Sequence, residues 1–462
     1  MMECRRVRML LVALAGCTAA ACGVFIGLEE LPPIGRGPDG GGDAADDARP
    51  NGASDAGADA DAQASSAGKL DPAFGDRGVV VVSVPFEKAG GSSLVLDGDE
   101  IVLIVSGDDA GKVVAIRCSN AGSCDSAHPV TLPAPPSSMI RAIAVPAPWA
   151  DPHAAGILVY GVQDKPGSDY ENVVHLWRVT RGEPMAVSVL ASETLHAPYV
   201  RLGTAFAVGA SRSVAVDDSA PDEDAGRLNL RAYLPDGAAD PSFGRHGLVT
   251  FGPTAIHLSP SDALVQEDGR IVVAATAFDD ATGFFSLRFE NDGGADRSFG
   301  QEGGVARSSR LVDVQSLVRL GGGYLLGGRE PGGRGALLRL QGDGREDPSY
   351  WDARDGGAIY AFEQDDDAGV PAPTNINALG IEPSGTIVVF GSTFGLLTPP
   401  VLMLARVSRS GLDPAFGKMG QIVVDEGFIA QHASMALQAD RKVVITWVSG
   451  DGFVKVARYL LE

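Results

Sequence analysis

The chain reads as all-β, a seven-bladed β-propeller of four-stranded antiparallel blades closed by an N-terminal strand that completes the last blade. Three observations predict this. The hexapeptide LDPAFG stands at Leu70–Gly75 and again at Leu412–Gly417, with degenerate copies at Ala239–Gly244 (ADPSFG), Ala295–Gly300 (ADRSFG) and Glu346–Tyr350 (EDPSY). From Phe243 through Phe299 and Tyr350 to Phe416 the aromatic position recurs about every 58 residues, and the gap from Phe74 to Phe243 is three such units, so two copies have eroded. In the same register an apolar run, a turn and a second apolar run repeat: SLVLDGDEIVLIVSG, ALVQEDGRIVVAAT, LVRLGGGYLLGG, ALGIEPSGTIVVFG and MALQADRKVVITWV.

The first element, residues 1–22, is expected to be an export signal. Arg5, Arg6 and Arg8 precede an apolar run from Met9. Leu14-Ala15-Gly16-Cys17 resembles the lipobox of bacterial lipoproteins, and Ala19-Ala20-Ala21-Cys22 is a second candidate, so one of Cys17 and Cys22 is the expected lipidated residue. The uncharged stretch Met9–Leu28 also has the length of an uncleaved membrane helix, the alternative anchor. Under either reading the remainder of the chain is exported and tethered. Neither Thr18 nor Gly23, the residues after the two cysteines, is Asp, which by the same resemblance favours the outer membrane, with the domain in the periplasm or at the cell surface.

Residues 23–68 form a spacer. Its stretch from Gly37 to Gly68 holds seven Asp and no Val, Ile, Leu, Met or aromatic residue, too little apolar surface to offset the entropy of ordering. The propeller then occupies 69–462. Each repeated hairpin turns at Asp-Gly, Gly-Gly or Ser-Gly, which tolerate the positive φ of tight turns. A third strand comes next, such as FFSLRF, GALLRL, LMLARV or VKVARYL, then D-x-x-F-G-x-x-G and a fourth strand. Four short strands per unit make a blade, and blades stacked about an axis cover each other's faces. The blades begin near Ser93, Ile143, Tyr199, Ala263, Ser316, Asn377 and Ser434. The last lacks its own fourth strand, and LDPAFGDRGVVVVSV at the start of the domain has no blade of its own, so the two ends should pair and remove two open edges.

The motif residues are read as structural. Phe74, Phe243, Phe299 and Phe416 wedge between neighbouring blades. Gly75, Gly244, Gly300 and Gly417 support a turn that few other residues tolerate. Asp71, Asp240, Asp296 and Asp413 open each copy. Cys118 and Cys124, in RCSNAGSCD, are expected to form a local disulfide on one hairpin.

The pattern DG-x-I-V-V…F-x-L-x-R-x…DG-x-x-D-x-x-F-G-x-x-G resembles the delta-60 repeat family, a β-propeller repeat of bacterial secreted and lipid-anchored proteins, over residues 70–462. The resemblance implies a fold and a location. It brings no agreed catalytic residues.

Chemistry is sparse. A formal charge of −22 argues against nucleic acid. The seven His are scattered, and no G-x-S-x-G, Walker or C-x-x-C motif occurs. Loops between second and third strands are acidic, placing Asp108, Asp109, Asp217, Asp218, Asp279 and Asp280 on one face, where a calcium ion or a cationic partner would be attracted; otherwise no cofactor is expected. Trp177 and Trp447 fall in strand patterns and read as core, whereas Trp149 and Trp351 fall in loops and read as candidate contact residues. The expected function is that of a membrane-tethered, monomeric, non-enzymatic binding or scaffold module for a protein or glycan partner. The alternative is an exported hydrolase or lyase with a multi-blade site at the central channel.

Overall fold

The computed structural model describes residues 66–462 apart from 108–111, 135–139, 150–155, 166–167, 169–170, 181–183, 197–203, 220–225, 255–256, 278–282, 302–303, 352–357, 361, 363–372, 394–399 and 427–428. The expected signal, both lipidation candidates and nearly all of the spacer therefore lie outside the described residues.

Seven antiparallel sheets succeed one another, six of them with their strands in chain order from the inside outward and the seventh completed by a strand from the start of the domain. Blade 1 comprises Ala89–Asp97, Glu100–Gly107, Val113–Cys118 and Val130–Leu132; blade 2, Ile140–Ala147, Gly156–Asp164, Glu171–Val179 and Val187–His196. Blade 3 comprises Thr204–Val208, Ser213–Asp217, Gly226–Tyr233 and Leu248–Thr254; blade 4, Leu258–Val265, Ile271–Ala277, Phe284–Phe289 and Val305–Ser308. Blade 5 comprises Asp313–Leu320, Gly323–Arg329, Gly335–Leu340 and Ala358–Tyr360; blade 6, Thr374–Ile381, Ile387–Thr393, Val401–Ser408 and Gln421–Glu426. Blade 7 takes Ile429–Gln438, Lys442–Val448 and Val454–Leu460 from the C-terminal end and Val79–Val82 from the other. The first strands of consecutive blades touch in turn, and that of blade 7 touches that of blade 1, which closes the circle.

The closing strand pairs as the repeat count requires, Val79 opposite Ala457 and Val82 opposite Val454. One boundary moves. Composition puts Ala67 and Gly68 in the spacer, but Ala67 is buried among Phe416, Trp447 and Leu461, and the Gly68 amide donates to the Leu460 carbonyl. Backbone contacts, which composition does not register, draw these two residues into the ring.

The second strands of the blades are apolar on both faces because each faces two neighbours. Ile101–Val105, Ile271–Ala275 and Val443–Ile445 are buried throughout. Each Phe of the hexapeptide is fully buried and sits where two blades meet: Phe74 between blades 7 and 1, Phe243 between 3 and 4, Phe299 between 4 and 5, Phe416 between 6 and 7. The glycine after it cannot carry a side chain. At Gly244 and Gly300 (φ 53° and 73°) a Cβ would lie 2.3 and 1.9 Å from the carbonyl oxygens of Leu248 and Val305.

Around each Phe stands a clamp whose cationic member the sequence pattern left without a role. Asp296 receives the Ser298 amide at 2.9 Å on one oxygen and Arg288 Nε at 2.7 Å on the other. The Arg288 guanidinium lies over the Phe299 ring at 4.6 Å and donates to the Gly342 carbonyl of the next blade. Arg458 repeats this with Asp71 (2.8 Å), Phe74 (4.7 Å) and the Asn120 carbonyl (2.6 Å). Arg406 pairs with Asp413 at 2.6 Å. In blade 3 the equivalent third-strand position is Ala232. There Arg212, from the turn between the first two strands, reaches Asp240 at 3.1 Å, the Phe243 ring at 5.6 Å and the Asn291 carbonyl at 3.0 Å. A different backbone position delivers the same charge to the same place.

Candidate functional site

Antiparallel topology sorts the connections onto two faces. One carries the first hairpin turns and the D-x-x-F-G clamps, which repeat with nearly constant geometry. The Gly244, Gly300 and Gly417 amides each donate across a blade boundary, to the carbonyls of Asp292, Asp343 and Ala67. The other face carries the connections between second and third strands and between blades. These differ from one unit to the next: Gly107 to Val113 in blade 1, Asp217 to Gly226 in blade 3, Thr393 to Val401 in blade 6. A regular frame on one side thus presents a different loop per blade on the other.

Of the six acidic residues expected on that second face, Asp217 and Asp218 are among the described residues. Asp108, Asp109, Asp279 and Asp280 lie outside them. Asp217 is fully buried at the end of its strand, its carboxylate accepting from the Ser219 amide (3.0 Å) and hydroxyl, Asn229 Nδ2 (3.1 Å) and Arg231 Nε (2.9 Å). Asp218 is also buried, 3.4 Å from His257. A carboxylate saturated by four donors has no lone pairs to offer a cation. A two-residue acidic run looks solvated in a sequence, but this strand is buried at every position and both carboxylates are buried with it. Among the described residues no three His, Cys, Asp or Glu are placed to hold a metal ion.

The tryptophans also divide differently from expectation. Trp177 and Trp447 are core, as read, but Trp149 (7 % exposed) and Trp351 (4 %) are core as well. Trp149 donates from Nε1 to the Gly209 carbonyl of the next blade at 3.0 Å, and Trp351 packs between blades 5 and 6 among Leu337, Phe362 and Met403. Both rings are turned into the frame, and burial of a large ring outweighs its position in the sequence.

Along the channel, one level of the first strands is defined by pairing with equivalent second-strand positions. It holds Ser93, Ile143, Ala205, Asp262, Ser316, Ala378 and Ser434. Asp262 is the one ionisable group at this level, and it comes just after a bulge between Pro260 and Asp262. Its oxygens accept from the Ala263 amide (2.8 Å) and from the Leu317 amide of blade 5 (2.7 Å). Burial raises its pKa to about 7 against the opposing pull of those two amides. No signal in the motif marked this residue.

A cavity of about 260 Å³ opens between the first hairpin turns of blades 6 and 7, floored by Ile381, Leu437 and Leu461. Its charges answer each other: Glu382 is held by Arg406 at 2.6 and 3.0 Å, and Arg441 pairs with Glu462 at 2.6 Å. Its volume falls just below that of typical small-molecule sites.

No family model matches the chain, and no curated protein matches it. Among solved structures it is similar to an α-L-arabinanase of Penicillium chrysogenum (10 % identity, covering 83 % of this chain and 98 % of that one, TM-score 0.41). It is similar to the polysaccharide lyase Uly1 (10 %, 80 % and 90 %, TM-score 0.44) and to the WD40 domain of Toxoplasma gondii coronin (9 %, 86 % and 89 %, TM-score 0.43). At such identities likeness concerns the fold alone.

Proposed function

We propose that this protein is an exported, membrane-tethered propeller of delta-60-like repeats that binds a protein or glycan partner through its loop face without transforming it. The observation that supports this reading is the division of labour between faces. Near-equivalent backbone connections hold one side rigid, and the other side carries loops of unequal length and composition, the arrangement by which a scaffold positions recognition segments. The tether rests on the apolar run ahead of the spacer, which would lift the propeller off the membrane by roughly 30 Å.

Two experiments test it. Metabolic labelling with an alkyne fatty acid should mark the chain, and either Cys17→Ser or Cys22→Ser should abolish the label. For binding, the full chain is offered to a glycan array and to solubilised envelope proteins. Replacement of 220–225 by a short Gly-Ser loop should lose the retained partner, while Arg441→Gly on the opposite face should keep it. Equal retention by both variants would place recognition elsewhere and overturn the proposal.

A further inference from the structure

The disulfide lies where the ring closes. Cys118 ends the third strand of blade 1 and is bonded to Cys124 across a tight turn. That turn is the seat of blade 7. The Gly75 amide donates to the Ala121 carbonyl at 2.9 Å, Arg458 reaches the carbonyl and the side-chain oxygen of Asn120, and Gln438 Nε2 donates to Asn120 Oδ1 at 3.1 Å. Gly122 packs so close that a Cβ there would stand 2.7 Å from the Gly75 nitrogen.

Other blade boundaries use the same seat without a covalent bond. The turns that receive Gly244 and Gly300 are closed at their base by simple bridges, Phe289 to Ala295 and Leu340 to Glu346; in blade 1 the equivalent bridge is Cys118 to Cys124. Downstream of the first two, the motif copy places an aromatic ring against the frame, Phe299 fully buried and Tyr350 half-buried. Blade 1 has one of the eroded copies: the Asp125 amide donates to the Arg117 carbonyl as Asp296 does to that of Arg288, but the aromatic position is His128, which is exposed and paired with Asp125 at 3.0 Å. The boundary that joins the two ends of the ring keeps Phe74 as its wedge, but the blade 1 turn on which it seats has no aromatic ring downstream and is closed at its base by a disulfide.

We infer that Cys118–Cys124 is a redox-sensitive latch on ring closure: its reduction frees the turn that seats the closing strand and loosens the boundary between blades 7 and 1, leaving the other boundaries in place. The reductant is a dithiol, either a small molecule or the paired cysteines of a thiol oxidoreductase. Its thiolate attacks the sulfur of Cys124, which is partly exposed, whereas Cys118 is fully buried. The Cys118 thiolate leaves and takes up a proton. The second thiol of the reductant then resolves the mixed disulfide, giving two protein thiols and an oxidised reductant.

Hydrogen exchange measured by mass spectrometry on the full chain, before and after treatment with dithiothreitol, tests this. Exchange across 70–82 should rise about tenfold on reduction while 412–426, the equivalent boundary of blade 6, is unchanged, and reoxidation should restore protection. Cys118→Ser with Cys124→Ser should match the reduced protein and ignore dithiothreitol. Should that variant fail to fold, the reduced wild-type chain still decides. Equal exchange in both states, a bond that dithiothreitol leaves intact in the folded chain, or a rise across all boundaries together would overturn the latch.

Discussion

At the residue scale, the repeated unit is a triad of Arg, Asp and Phe in which each member limits the freedom of the others. The Phe fills the gap between blades, so Phe299→Ala should cost about 3–5 kcal/mol, measured by urea unfolding. The Asp carries a pH signature. Burial opposes ionisation of Asp296, but hydrogen bonds from Ser298 and Arg288 prevail and bring its pKa down to about 2. That depression adds stability above the usual carboxylate pKa, which is lost as pH falls through about 2. Asp262 works in the opposite sense. Its pKa is raised to about 7, so the stability it contributes is complete below about pH 4 and declines as pH rises through 7; Asp262→Asn should flatten that decline in a series of thermal melts. Backbone strain is local too. Arg77, His246 and Met419 share φ of 53–56° in the x-x of G-x-x-G, and Met419 is also 69 % exposed. Replacing Met419 by Gly relieves a left-handed L-residue at some entropic cost, for a net gain of about 0.5–1 kcal/mol. Phe and Gly were legible in the sequence because they recur in register. Arg212 was not, since the charge it supplies to blade 3 comes from a turn rather than from the strand that carries Arg elsewhere. Trp149 was misjudged because position in a loop does not say what the loop covers.

Among the elements, strands were the most legible and loops the least. The apolar run, turn and apolar run located the first two strands of blades, because a sheet covered on both faces needs near-continuous apolar residues. The eroded motif copies fall in blades 1 and 2; blade 1 kept the hairpin pattern, whereas the first hairpins of blades 2 and 3 were placed by spacing. The acidic connections were misread at Asp217 because the strand extends further than the apolar run does. The turn Ser119–Ser123 is an element where covalent and non-covalent solutions can be compared directly. Removing its cross-link with Cys118→Ser and Cys124→Ser should lower stability by about 2 kcal/mol by the loop-entropy estimate for so short a closure. Calorimetry of the oxidised and double-variant chains measures it.

For the molecule as a whole, closure is the claim on which fold and function both rest. A circle of seven blades leaves no first or last sheet edge exposed, and it fixes one face so that the other can vary. The sequence announced this through a motif that appeared once too often at one end and was missing at the other. It could not announce a ligand, because recognition by unequal loops leaves no repeated signal. The most direct measurement is a cross-link across the closing pair. Val81 and Lys455 are opposed in the register, and both are at least partly accessible. Opposed residues of an antiparallel pair have Cα atoms within disulfide reach. Val81→Cys with Lys455→Cys, oxidised under native conditions and then analysed by proteolysis and mass spectrometry, should yield one peptide joining the two ends of the ring with native stability retained. Absence of that cross-linked peptide from folded, fully oxidised protein would show that the ends do not meet, and the closed propeller would be wrong.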